Sequence, residues 1–204
     1  MVGGRDFRLL QFLGQKVSSA VDGTGSFHSY NACGWHGEDF APEPARGLFV
    51  TRVNAIVARY GEGWQMRPDF EVVERAPTGT AELLTVKLPP ATGADTRQRV
   101  HNAVAKFRRR TSSRDDRRDA VRDLGDVLER LRKDATKHLS RKDESELFKI
   151  LNNFDIRHNN ELQKSDYDTI WLSGLFYHFL TMIHVLTHLI DRDERNSITL
   201  DPET

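Results

Sequence analysis

The chain has 204 residues, enough for one large domain or two small ones, and carries 30 Lys and Arg against 30 Asp and Glu for a formal net charge of zero. That balance argues against a uniformly basic nucleic-acid binder and against a highly charged disordered chain, and 38% hydrophobic residues are enough to build a buried core. One cysteine excludes an intrachain disulfide framework, and the opening Met1 to Asp6 lacks the apolar stretch of a signal peptide, so a cytoplasmic protein is expected.

The N-terminal half predicts a small α+β module. Phe7, Leu10, Leu13 and Val17 recur at helical spacing and predict a short first helix. Residues 22–47, crowded with Gly, His, Ser and Pro, read as loops with short extended pieces. Gly23-Thr24-Gly25 lacks the later glycine and the Lys-Ser/Thr of a phosphate loop and reads as a turn. In the same stretch His28, Cys33, His36 and Asp39 are zinc-ligand types, but a structural site needs two paired elements and only one is present. A thiolate at Cys33 activated by a neighbouring histidine is the nucleophilic alternative, and a half-buried cysteine beside a turn at Gly34 is the plainer one. Phe49, Val53, Ile56, Val57 and Tyr60 share a face of a second helix that Gly61 would end in a left-handed cap. Trp64–Arg67 and Phe70–Glu74 flank Pro68-Asp69 as a hairpin, and residues 81–86 are expected to add a third strand.

Leu88-Pro89-Pro90-Ala91-Thr92-Gly93 reads as a linker, dividing the chain into 1–93 and 94–192, with a flexible acidic tail at 193–204. Four helices follow: about 96–110, about 115–138, a shorter one containing Leu147, Phe148, Ile150 and Leu151, and about 167–191. Ser113, Ser140 and Ser165 each stand three residues before an aspartate, a capping-box pattern with Asp in place of Glu. Three capped starts and short connections predict an antiparallel four-helix bundle. Ile170–Ile190 has no Lys, Arg, Asp or Glu over 21 residues, long enough to cross a bilayer, but its three histidines and unbiased flanking charges favour the central helix of a soluble bundle. His184 and His188 share a helical face, yet Val185 occupies the position where zinc helices carry Glu, so a hydrogen-bonded core pair is expected and no metal or other cofactor.

Charge is distributed by region. Residues 1–96 hold 9 basic and 11 acidic residues, 97–157 hold 18 and 11, and 158–204 hold 3 and 8, so a +7 block lies between acidic flanks. Its densest part, Arg108, Arg109, Arg110, Arg114, Arg117 and Arg118, is a candidate track for a phosphate backbone. The alternative is an exposed corner paired with Asp115, Asp116 and Asp119.

Seven polar or charged side chains crowd into Asn152–Asn160, between the third and fourth helices. They either form a network that caps helix ends or hold a ligand at the junction. With Asp119–Glu129 on the second helix, the pair Arg157-His158 after the third and the long apolar fourth, residues 97–192 resemble the HEPN superfamily (higher eukaryotes and prokaryotes nucleotide-binding). The closer likeness is to its abortive-infection C-terminal-like members. The resemblance implies a helical bundle, commonly a homodimer, and for many members a metal-independent endoribonuclease of phage-defence or toxin–antitoxin systems. RNA, and an antitoxin or other defence partner protein, are the partners it implies; a membrane is not. The family motif is Arg, a polar residue, and a His four to six residues after the Arg. Arg157 matches the first and His158 the second, while Leu162 or Gln163 stands where the histidine is expected. Either His158 takes its place, with Arg157 and Asn159 beside it as catalytic groups and Asn153 and Asn160 holding phosphate oxygens, or the bundle is a non-catalytic module that binds nucleic acid, nucleotide or a partner protein.

Overall fold

The computed structural model describes residues 4–60, 63–85, 87–153 and 168–199. These residues form an α+β chain with six α-helices and three two-stranded antiparallel sheets. It divides into two compact units, Met1–Arg75 and Ala76–Thr204. The division therefore falls before the Pro89-Pro90 turn where the sequence suggested it. Leu83, Leu84 and Leu88 pack on the core of the second unit, and that apolar burial assigns the segment to the helices.

In the first unit, helix α1 (Gly4–Lys16) and helix α2 (Ala45–Val57) flank short strands β1 (Ser19–Ala20), β2 (Ser26–His28), β3 (Gly34–His36) and β4 (Phe40–Ala41), with β5 (Trp64–Met66) and β6 (Val72–Glu74) following. β1 pairs with β4, β2 with β3, and β5 with β6 in the register Trp64↔Glu74, Gln65↔Val73, Met66↔Val72. Phe7, Val53, Met66, Phe70 and Val72 make the core, with Leu10, Phe49 and Val57 partly buried against it. Leu13 and Ile56, expected on the inward faces, are exposed, because only one side of each helix meets the small hairpin. The Asn54 amide fixes α2 to β5: its Nδ2 donates to the Met66 carbonyl at 2.9 Å and its Oδ1 accepts from the Met66 N–H at 2.7 Å.

The turn at Pro68-Asp69 forms as the sequence predicts. The Phe70 N–H donates to the Arg67 carbonyl, and Phe70 itself takes the left-handed conformation at φ 66° that a three-residue hairpin loop requires. The third strand does not form. Glu82–Leu84 is instead a single 3-10 turn, closed by Thr85 Oγ1 donating to the Glu82 carbonyl, because Leu83 and Leu84 gain more from burial on the helices than from a sheet edge. Val86, Gly61 and Ser165 lie outside the described residues, as does the junction 154–167.

In the second unit, α3 (Ala94–Arg108) and α4 (Arg114–His138) form an antiparallel hairpin, tied near one end by Lys106 to Asp123 at 2.6 Å and toward the other by Arg130 to Asp95 at 2.8 Å. α5 (Arg141–Asn153) adds Leu147, Phe148 and Leu151, and α6 (Thr169–Thr199) adds Leu172, Phe176, Phe179, Ile183 and Leu186 to one shared core. The central helix is α4, not α6 as the hydropathy suggested: Ala120, Val121, Leu124, Val127, Leu128 and Ala135 are fully buried, whereas α6 leaves Ile170, Trp171 and Val185 exposed. Residues 193–199, expected in a flexible tail, are the last turns of α6, braced by Arg195 to Asp191 at 2.7 Å. Ser113 and Asp116 form the predicted capping box, Ser140 Oγ accepts from the Asp143 N–H, and Asp168 caps α6 by accepting from the Ile170 N–H.

Candidate functional site

The α3–α4 turn is the described part of the candidate site. Between residues 106 and 118 the chain carries seven cations, Lys106 and the six arginines, against two carboxylates, Asp115 and Asp116. The turn is compact because Arg109 leaves the helix at ψ 132°, its N–H still bonded to the Ala105 carbonyl. The Ser112 N–H then donates to the Arg109 carbonyl, and the Ser112 hydroxyl reaches the Lys106 carbonyl. Ser113 starts α4 immediately afterwards, so the basic residues of both helix ends meet at one corner of the hairpin.

The six arginines are not equivalent there. Arg108 is buried, only 9% exposed, so it belongs to the wall of the hairpin and not to the surface track suggested by its neighbours. Arg117 lies over the Phe107 ring at 5.3 Å and is half-buried, a cation–π contact that also orders the guanidinium. Arg109 and Arg114 are exposed, with Arg110 and Arg118 half-buried; Arg110, Arg114 and Arg118 also interact with other groups of the protein. Asp119, expected to pair within the cluster, pairs with Arg122 at 3.1 Å. The Asp116 carboxyl is held below its ordinary 3.8, first by the Ser113 backbone N–H and then by the Ser113 hydroxyl, with Arg109 and Lys106 adding to this. It stays ionised and caps the helix. A corner of this kind supplies cations to a polyanion without a dedicated pocket.

The remaining candidates are placed as follows. Asn153 is the last residue of α5, and Arg157, His158, Asn159 and Asn160 lie outside the described residues. Cys33 is exposed instead of half-buried, and its Sγ stands 2.9 Å from His36 Nε2, with the His28 and His36 rings 4.8 Å apart. Among the described residues, no group of three or more His, Cys, Asp or Glu side chains forms a metal-binding arrangement. The expected His184–His188 core pair divides. His188 is exposed, whereas His184 is buried and its Nε2 lies 3.1 Å from the Leu83 carbonyl oxygen. Sequence reasoning missed that partner, since Leu83 was expected in a strand, and helical spacing carries no signal for a contact 101 residues away.

No protein-family model, curated protein or solved structure matches the chain.

Proposed function

We propose that the helical unit is an antiparallel four-helix, HEPN-like module that acts on RNA, as a homodimer in the cytoplasm, in phage defence of the abortive-infection or toxin–antitoxin type. The observation that carries this reading is the α3–α4 corner, where Arg109, Arg110, Arg114 and Arg118 come together at one end of a helical hairpin. Guanidinium groups at such density suit a phosphate backbone. The chemistry would follow from the Arg157-His158 pair beyond α5. A neutral His158 imidazole takes the proton of a ribose 2′-hydroxyl, and the resulting oxyanion attacks the adjacent phosphorus. The 5′-oxygen leaves with a proton supplied by an acid, and Arg157 balances the charge that builds on the phosphoryl oxygens. No metal takes part in such a step.

A second reading is favoured by Leu162 and Gln163, one of which stands where the motif histidine is expected; neither is a base, and Gln163 offers only a hydrogen bond. In it the helical unit binds RNA or a partner protein without cutting. Labelled single-stranded RNA incubated with the protein in EDTA separates the two. Cleavage that drops by about 10²-fold or more in Arg157→Ala and His158→Ala supports the ribonuclease. Equal cleavage by all three proteins would point to a contaminant and sink it. Salt-sensitive binding without cleavage, weakened by Arg109→Glu with Arg114→Glu, supports the second reading.

A further inference from the structure

The second unit holds a cavity that the RNA reading does not use. It has a volume of about 810 Å³ and is bounded by the Glu82–Leu84 turn, by Thr85, Lys87, Leu88 and Pro90, and by α3 and α6. That is the size of a small-molecule site. Its wall is largely aliphatic, with Leu84, Leu88, Val104 and Leu180 among the lining residues, and no Phe, Tyr or Trp is among the described residues that line it. A site for stacked bases would normally supply such rings. The polar lining is one-sided. Lys87, Arg97 and His101 contribute cationic or ionisable nitrogen, and no Asp or Glu is among the described residues that line it. Lys87 and His101 are exposed, while Arg97 is half-buried and anchored through Nη1 to the Pro90 carbonyl at 2.8 Å and to the Thr92 carbonyl.

His184 completes the lining and is only 7% exposed. Its Nε2 lies 3.1 Å from the Leu83 carbonyl oxygen, which can only accept, so Nε2 carries the proton. Burial, with His188 nearby, favours the neutral ring over the imidazolium. Nδ1 is therefore a lone-pair acceptor, and it is buried with no hydrogen-bond partner among the described residues. A buried acceptor left unpaired is unfavourable and calls for an O–H or N–H donor.

We propose that this cavity binds an amphiphilic acid, whose aliphatic body lies along Leu84, Leu88, Val104 and Leu180, whose hydroxyl or N–H donates to His184 Nδ1, and whose acidic group meets Lys87 and Arg97. Each part of that ligand answers a separate feature: the apolar wall, the orphaned acceptor and the carboxylate-free cationic side. RNA plays no part in it, so the proposal stands or falls independently of ribonuclease activity.

The test is calorimetric titration of the full chain with 10-hydroxydecanoic acid, decanoic acid and 1,10-decanediol, all below their aggregation limits. The hydroxy acid is expected to bind tightest. Decanoic acid, which lacks the inner donor, and the diol, which lacks the charge, should each bind about tenfold more weakly. Lys87→Glu alters an exposed side chain and leaves the fold intact. It should weaken the hydroxy acid by about tenfold or more and leave the diol unchanged. Val104→Trp should block all three compounds. Equal affinity for the three, indifference to both substitutions, or no binding of the hydroxy acid would each overturn the proposal.

Discussion

His184 shows how one side chain can couple folding to pH. Burial is the main reason its imidazole titrates below the free value of 6.5; His188 adds to this, and the Leu83 carbonyl opposes it. The other ionisable groups around the same cavity, His101 and Arg97 from α3 and Lys87 from the preceding segment, are basic as well. An unfolded chain binds the proton near 6.5, whereas the folded chain binds it only at lower pH. Between those values the unfolded state holds more protons, and stability falls as pH falls. Above 6.5 the effect is absent, and below the folded value it stops growing. His184→Gln keeps a donor for Leu83 and removes the titration. Urea denaturation at about pH 7.5 and about pH 5.5 should therefore show wild type losing more stability on acidification than the variant. Equal losses would mean that His184 is not the group responsible. The histidine itself was legible as a core residue from its place in an apolar run. Its partner was not, because a single long-range hydrogen bond leaves no periodic trace. The Ser113–Asp116 cap is the opposite case. Both of its residues lie within one turn, so the sequence pattern and the geometry carry the same information.

Individual helices were legible where local spacing and burial agree, and misread where a neighbour decides. The second unit's helices begin within a few residues of their predicted starts because caps and apolar stripes are local. Choosing which helix is central needs the neighbours. α4 is rich in charge, yet α3, α5 and α6 all share its core, while the more apolar α6 keeps one side exposed. In the first unit the same principle makes Gly14 a test. Alanine in a helix interior is favoured over glycine by about 1 kcal/mol. A Cβ at Gly14, however, would run into Cδ1 and Cγ of the Phe70 ring. That ring cannot move away easily: it is buried, meets Phe49 edge-on at 6.4 Å, and hangs from a backbone already held at φ 66°. Overpacking costs about 1–3 kcal/mol, so at a ring this firmly held the clash outweighs the propensity gain and Gly14→Ala should destabilise the first unit by up to about 2 kcal/mol. Denaturation followed by Trp64 emission in a variant lacking Trp35 and Trp171 measures it. A gain in stability would show that α1 does not approach Phe70 this closely.

For the chain as a whole, the decisive question is whether α6 belongs to a folded core or to a bilayer. Thr169–Ser197 is long and apolar enough for either. Composition cannot separate the two, because a core helix and a spanning helix are both depleted of charge. The packing does distinguish them. Leu172, Leu175, Phe176, Phe179, Leu180, Ile183 and Leu186 recur every three or four residues and are all buried in the core shared with α3, α4 and α5. The Phe176 ring stacks on Phe107 at 3.9 Å and an interplanar angle of 11°, and His184 is bonded to Leu83. Moving α6 into lipid would strip the hairpin of those partners, and lipid tails would gain only the exposed side, where Ile170, Trp171 and Val185 alternate with His178 and His188. That packing favours the folded core over a span. Cell membranes from a strain expressing the chain should therefore release it into the supernatant on washing with alkaline carbonate. The detergent-free protein should melt cooperatively, and Phe176→Ala should lower that transition by the equivalent of about 3–5 kcal/mol, the cost of emptying an aromatic site in a packed core. Retention in the carbonate-washed pellet, together with indifference of the melt to Phe176→Ala, would place α6 in the membrane instead.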